Sequence, residues 1–313
     1  MRHLIDLDSW PDEEIRALLD LSLDRRAAMT RGEALPQRLA GKLQFNLFYE
    51  SSTRTSLSFE VAGRRLGALV CAVPVAASSV HKGESLRDTV QTLCAQGADL
   101  LVLRSGERGA LSAARDAAAA GGFATSMVNA GEGAFGHPSQ ALLDAATLLH
   151  ALGRRADEGL RGLVVAICGD LRHSRVAGSV VPLFARLGAT VRLCAPKSLW
   201  PQGAGFGDQA TLTDDRADAL RDADVVMALR VQKERMEDDR YTGSPDFHRD
   251  YCVTREALDA AKPGVKVMHP GPMNRGIEIE AAVADDPERS LVLSQVAQGV
   301  ATRVAILETL AGR

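Results

Sequence analysis

Residues 48 to 60 read Phe-Tyr-Glu-Ser-Ser-Thr-Arg-Thr-Ser-Leu-Ser-Phe-Glu, which gathers hydroxyls, a guanidinium and a helix start into one short turn. Ser52, Thr53 and Thr55 supply hydroxyls and cap chemistry, and Leu57, Val61 and Leu66 continue at helical spacing, so the polar cluster falls on a helix N-terminus. A helix start offers unpaired backbone N–H groups and a partial positive charge, and Arg54 adds a fork that matches phosphate oxygens. By themselves these residues suit either an anion cradle or an ordinary capped helix with one solvated arginine. Other candidates stand behind further apolar runs. The loop Ser78-Ser79-Val80-His81-Lys82-Gly83-Glu84-Ser85 carries one lysine beside a glycine, and spacing alone makes it a surface loop. Arg104 follows one run, and His137 and Gln140 flank a helix start with Pro138 in its first turn, where a lone histidine is more often a cap than a catalyst. The turn Gly169–Arg175 lacks G-x-G-x-x-G, which weighs against a dinucleotide site.

The elements that must position these residues follow from the apolar pattern. Strand-like runs occur at Gln44–Tyr49, Leu69–Val75, Leu100–Leu103 and Ala124–Val128, then at Leu163–Cys168, Thr190–Cys194, Asp224–Leu229 and Val265–Met268. Helical stretches alternate with them: Leu86, Val90, Leu93 and Cys94 share one helix face, and a first helix opened by Ser9, Pro11 and Asp12 closes at Arg25-Arg26. Strand–helix alternation predicts an α/β protein with two doubly wound parallel-sheet domains, joined through an apolar helix over Pro138–Leu152. Pro182 inside Val176–Leu187 predicts a kink or an early end, and Trp200–Asp208 reads as a flexible loop. In such sheets the loops at the strand C-termini hold the chemistry.

Composition bounds the function. At 313 residues, with 46% hydrophobic and 25% charged residues, the chain is long enough for two cores, and 4% aromatic content makes those cores aliphatic. A net charge of -3, from 37 basic and 40 acidic residues, argues against a nucleic-acid surface, so any anion site is local. Five widely separated cysteines without C-x-x-C spacing read as reduced core thiols, and neither a metal nor another cofactor is expected. The first dozen residues carry Arg2, Asp6, Asp8 and Asp12, and no apolar run approaches the ~20 residues that cross a bilayer, which predicts a cytoplasmic protein without membrane contact.

The string from Phe48 to Glu60 resembles the carbamoyl-phosphate signature of the transcarbamylases, F-x-E-x-S-T-R-T-R-x-S-F-E, with Ser56 where that family often has a basic residue. His137-Pro138-Ser139-Gln140-Ala141-Leu142-Leu143-Asp144 resembles the family's H-P-x-Q-x-L-x-D, and Ser78 to Glu84 resembles the S-S-x-x-K-G-E of its aspartate type. Gly169-Asp170-Leu171-Arg172-His173-Ser174-Arg175-Val176 resembles G-D-x-x-x-S-R-V, and Arg230-Val231-Gln232-Lys233-Glu234-Arg235 resembles R-V-Q-x-E-R. His269-Pro270-Gly271-Pro272-Met273-Asn274-Arg275-Gly276 resembles the H-P-G-P-x-N-R-G of one aspartate branch, where other members carry H-P-L-P. The ornithine-type H-C-L-P and D-x-x-x-S-M are both missing.

The resemblance implies an aspartate carbamoyltransferase activity, at the committed step of de novo pyrimidine biosynthesis. It implies that Ser52, Thr53, Arg54, Thr55, Ser78, Lys82, Arg104, His137, Gln140, Gly271 and Pro272 bind carbamoyl phosphate. Lys82, Arg175, Arg230, Gln232, Pro270 and Gly271 would bind L-aspartate. Two guanidiniums suit a dicarboxylate, each taking an oxygen pair. Arg54, Thr55, Lys82, Arg104 and His137 would act in catalysis. Glu50 would pair with Arg175 and Arg235 when the domains close. Residues 1–136 would form the carbamoyl-phosphate domain, residues 137–290 the aspartate domain, and a last helix over 291–313, with Val296, Val300, Val304 and Leu307 on one face, would return to the first. Ser78 and Lys82 reach a neighbouring subunit's site in the family, which implies a homotrimer with shared sites. A regulatory chain or a dihydroorotase-like partner is a further expectation. The alternatives are a transcarbamylase for another amino acid, a non-catalytic assembly subunit, and a Rossmann-type oxidoreductase disfavoured by the missing glycine fingerprint.

Overall fold

The computed structural model describes residues 3–75, 83–201, 205–232 and 245–311. The chain divides into two units, Met1–Ala146 with Val296–Arg313, and Thr147–Gln295. In the first unit, α1 (Asp12–Thr30) precedes β1 (Leu43–Phe48), α2 (Thr53–Arg65), β2 (Leu69–Val73), α3 (Leu86–Ala95), β3 (Leu100–Ser105), α4 (Ala110–Ala120), β4 (Ser126–Glu132) and α5 (Pro138–Ala151). The strands form one parallel sheet in the order β2-β1-β3-β4. Both faces are covered, because successive β1 side chains point to opposite sides. Phe45 and Leu47 pack with Val90 and Leu93 of α3 and Leu111 of α4. Gln44 and Asn46 face α2, where Gln44 Nε2 donates to Asn46 Oδ1 (2.8 Å) and to the Phe59 carbonyl (3.1 Å). Gly63 lets α2 approach this closely: a Cβ there would lie 2.2 Å from Gln44 Oε1 and 2.9 Å from Val70 Cγ2.

The last helix, α10 (Val292–Ala311), packs on α1 through buried polar contacts. Ser22 Oγ lies 2.7 Å from Thr302 Oγ1, Gln298 Nε2 donates to Ser22 Oγ at 2.8 Å, and Arg25 forks onto Glu308 with two 2.8 Å bonds. Burial here differs from a single Val296–Leu307 stripe. Val296 is 47% exposed, whereas residues 301–307 are all buried, Arg303 among them. A helix enclosed by several elements loses the one-sided pattern that periodicity reports.

In the second unit, β5 (Val164–Gly169), α6 (Arg175–Arg186), β6 (Thr190–Cys194), β7 (Thr211–Thr213), α7 (Arg216–Leu220), β8 (Val225–Leu229), α8 (Pro245–Tyr251), β9 (Lys266–Met268) and α9 (Ala281–Ala284) build a parallel sheet ordered β7-β6-β5-β8-β9. The α/β class with parallel sheets in both halves is thus as expected. Interior strand β8 is buried throughout, as a strand covered on both faces must be. Edge strand β7 is a Thr-Leu-Thr segment with no apolar run to announce it; it forms by pairing with Arg192–Cys194. Helix α6 continues through Pro182 to Arg186 instead of stopping there. Four cysteines are buried, but Cys71 is exposed on edge strand β2, so it is not a core thiol. Burial pushes the Cys252 thiol up to about 12.

Gly169 ends β5 with φ +127°, and a Cβ there would lie 2.3 Å from the Leu229 carbonyl oxygen of β8. Gly169→Ala is therefore expected to destabilise the protein by more than about 2 kcal/mol, read as a lowered urea midpoint. An unchanged midpoint would mean that β5 and β8 can separate freely at this point.

Candidate active site

The parallel sheet of the first unit puts the C-terminal ends of β1, β3 and β4 at one edge, and each end feeds a candidate residue. After β1, Ser52 is the extended N-cap of α2 (φ -158°) and its side chain makes no capping bond. The first turn of α2 contains no acidic residue, so none of its own side chains offsets its positive end. Arg54 is exposed there and Thr55 is buried. Ser58 Oγ donates to the carbonyls of Arg54 (2.7 Å) and Thr55 (3.0 Å), which firms the turn from behind.

After β3, Arg104 sits where the register with β4 shifts between Leu103 and Ser105. Such an irregularity re-aims a side chain at a strand end. Its Nη1 donates to the Ala130 carbonyl at 3.2 Å, and its Nε lies 3.5 Å from Glu50 Oε2. Glu50, expected to meet Arg175 and Arg235 on closure, is thus placed against Arg104 of its own unit. After β4, His137 is buried with Nδ1 3.4 Å from Ser139 Oγ. Gln140, one turn into α5, donates from Nε2 to Asp144 Oδ1 at 2.9 Å, and its carbonyl oxygen is left to accept. Ser78, Lys82 and Arg235 lie outside the described residues. Ser85, three residues beyond Lys82 in the sequence, caps α3 by accepting from the Asp88 N–H and donating to Asp88 Oδ2 at 2.7 Å.

The second unit gathers its candidates at the ends of adjacent β5, β8 and β9. Arg175 is the first residue of α6, capped by Ser174, which accepts from the Ala177 N–H. Arg230 follows β8 and is half-buried. Gln232 is fixed twice: its backbone N–H donates to Asp170 Oδ2 (3.2 Å), and its Nε2 donates to the His173 carbonyl (2.7 Å). Asp170, fully buried, also accepts from the His173 backbone at 3.0 Å. It ties the Arg175 turn to the Gln232 segment.

The loop with Pro270, Gly271 and Pro272 is held in a similar way. His269 Nδ1 accepts from the Gly271 N–H at 2.8 Å, so its Nε2 carries the hydrogen and donates to Glu278 Oε1 at 3.1 Å. Glu278 also accepts from the backbone of Asn274 and from that of Val231 (3.4 Å), while Asn274 Nδ2 donates to the Val231 carbonyl at 3.0 Å. Sequence reasoning gave Asp170, Asn274 and Glu278 no role. The Gly-Asp step at a strand end is a weak signal for Asp170, and Glu278 has none, since its bond to Val231 spans 47 residues and nothing in its own loop announces it.

Chemically, the first unit presents hydroxyls, a helix start and two guanidiniums, a donor set for an anion with a polar carbonyl. The second presents guanidiniums and a rigidly held amide, a donor set for carboxylates. Among the described residues no group of three or more His, Cys, Asp or Glu could hold a metal ion. No helix among them is long and apolar enough to cross a membrane.

The pattern of the aspartate/ornithine carbamoyltransferase carbamoyl-P binding domain matches residues 2–150, and that of the Asp/Orn binding domain matches residues 161–310. Aspartate carbamoyltransferase catalytic subunits are similar over nearly the full length. The Brucella anthropi protein is 46% identical over 310 residues, covering 99% of this chain and 92% of that one. The Mesorhizobium japonicum protein is 47% identical over 310 residues, covering 99% and 91%. The structure is similar to that of Trypanosoma cruzi aspartate transcarbamoylase in complex with carbamoyl phosphate and aspartate, with a TM-score of 0.84 at 30% identity, covering 98% of this chain and 96% of that one.

Proposed function

The chain belongs to the aspartate/ornithine carbamoyltransferase family, and we propose that it transfers the carbamoyl group of carbamoyl phosphate to the amino group of L-aspartate, giving N-carbamoyl-L-aspartate and phosphate. The observation that carries aspartate over ornithine is the pair Arg175 and Arg230 at neighbouring strand ends, beside a Gln232 locked by Asp170 and His173. Two guanidiniums attract a dicarboxylate and repel the side-chain ammonium of ornithine.

In this proposal the phosphate rests on Ser52, Thr53, Arg54 and Thr55 with Arg104 and Lys82, while the carbamoyl oxygen faces Thr55, Arg104 and His137. Gln140 and the backbone of Pro270 to Pro272 take the carbamoyl NH₂. Negative charge builds on the carbonyl oxygen as the aspartate amine attacks, and each donor fixed there contributes roughly 10²–10³ in rate. No protein nucleophile is needed. The C–O bond to phosphate breaks as the tetrahedral intermediate collapses, and the departing phosphate takes the amine proton. Holding both substrates in line supplies much of the remaining acceleration. Residues 1–136 with 291–313 serve carbamoyl phosphate and residues 137–290 serve aspartate, and Glu50 secures the closed state with Arg175 and Arg235.

We infer further that the active form is a homotrimer in which Ser78 and Lys82 serve a neighbouring copy. Edge strand β2 supports this by exposing Leu69 and Cys71, and α2 by exposing Leu57 and Val61, an apolar surface that a second copy would cover. Sedimentation should give about three times the chain mass of 33.3 kDa. The activity fits the committed step of pyrimidine synthesis in the cytoplasm, and a regulatory or dihydroorotase-like partner would bind that trimer.

Substrate choice is tested by phosphate release with carbamoyl phosphate and each of L-aspartate, L-ornithine and N-acetylornithine. Aspartate alone is expected to stimulate release by at least about a hundredfold over the amine-free rate. Stimulation by ornithine instead would reassign the second substrate, and none by any amine would point to an assembly subunit.

A further inference from the structure

Arg303 is 3% exposed in the middle of α10, an uncommon place for a guanidinium. Its carbon Cζ stands 5.0 Å from the centre of the Phe59 ring of α2, and its Nη1 donates to the Gly299 carbonyl at 3.2 Å. Room for it is made by the absence of a side chain at Gly299, where a Cβ would lie 2.8 Å from Nη1 and 3.3 Å from Leu143 Cδ2. Burial pushes the guanidinium down to about 9, with the Asp144 carboxylate opposing the fall and Arg104 adding to it, and a guanidinium stays a cation at neutral pH. Phe59 is one turn beyond Thr55, and Asp144 is one turn beyond Gln140. A single buried charge thus stands behind the elements that carry the anion turn, Arg104 and the amide of Gln140.

Asp144 is fully buried, and a buried carboxylate needs a compensating charge and hydrogen bonds. An ionised carboxylate only accepts, so the Gln140 atom 2.9 Å from Asp144 Oδ1 has to be its NH₂. That choice leaves the Gln140 carbonyl oxygen as an acceptor. We propose that Arg303 is a positioning residue for carbamoyl recognition: its buried charge sustains the Asp144 carboxylate, which pins the Gln140 amide so that the Gln140 carbonyl oxygen accepts from the NH₂ of carbamoyl phosphate. The inference rests on the carbamoyltransferase reading, and adds to it the means by which a carbamoyl group is told from an acyl group. Acetyl phosphate is the matching probe, with a methyl group in place of the NH₂.

The test compares dissociation constants of the full-length enzyme for carbamoyl phosphate, acetyl phosphate and inorganic phosphate, in wild type, Arg303→Met and Asp144→Asn. In both variants the preference for carbamoyl over acetyl phosphate should fall by at least about tenfold, because one well-placed hydrogen bond is replaced by an amide free to turn. Inorganic phosphate, which has no carbamoyl group, should bind within about twofold of wild type. A merely structural role would weaken all three ligands in parallel, and that outcome, or an unchanged preference in both variants, overturns the proposal. Should Arg303→Met fail to fold, the nearly isosteric Asp144→Asn decides by the same ratio. Wild-type enzyme that does not bind carbamoyl phosphate would instead overturn the functional reading, and this inference with it.

Discussion

Arg54→Ala is expected to lower turnover by at least about a hundredfold while leaving the unfolding midpoint within about 2 °C of wild type. The two halves of this result have separate causes. The side chain is exposed at the start of α2, so its loss removes little packing. The turn itself survives, because Ser58 Oγ bonds to the backbone carbonyls of residues 54 and 55. What disappears is a charge-assisted ligand for the phosphate, both in the ground state and as it departs with growing negative charge. Steady-state phosphate release with saturating aspartate, set beside thermal unfolding, checks both halves. Near-normal turnover would mean that the helix start does not hold the phosphate.

Arg230→Ala should lower kcat/KM for aspartate by at least about thirtyfold, since truncating one partner of a desolvated charge pair costs about 2 kcal/mol or more. Most of the loss should appear in the KM for aspartate, with affinity for carbamoyl phosphate within about twofold of wild type. The backbone after β8 is held independently, through Val231 N–H on Glu278 and Gln232 N–H on Asp170, so removal of the arginine side chain leaves Gln232 in place. Equal losses of affinity for both substrates would mean that Arg230 supports the fold and not the carboxylate.

Much of this was legible in the sequence because it is encoded locally. The strand-to-helix turn at Ser52–Thr55, Pro138 opening α5 and the apolar runs that become β1 to β6, β8 and β9 each declare themselves within about ten residues. The positions of Arg104, Arg175 and Arg230 then follow, because a parallel sheet delivers its strand ends to one edge. Residues that work through distant neighbours stayed hidden. Glu278 matters because it meets Val231, 47 residues away, and Asp170 because it meets Gln232, 62 residues away. Arg303 falls inside a stretch that reads as an apolar stripe, and only packing against Phe59 and the Asp144 charge gives it meaning. Short β7 was invisible for a related reason, since pairing with β6 and not its own composition makes it a strand.

Fixed positive groups join carbamoyl phosphate to aspartate without a protein nucleophile, and following ¹³C-carbamoyl phosphate by NMR with the purified chain and L-aspartate tests this most directly. The label should move to the ureido carbon of N-carbamoyl-L-aspartate, one phosphate appearing per carbamoyl transferred, and Arg54→Ala should slow this transfer by at least about a hundredfold. Phosphate release that proceeds at the same rate without aspartate, leaving the label in carbonate or cyanate, would contradict it.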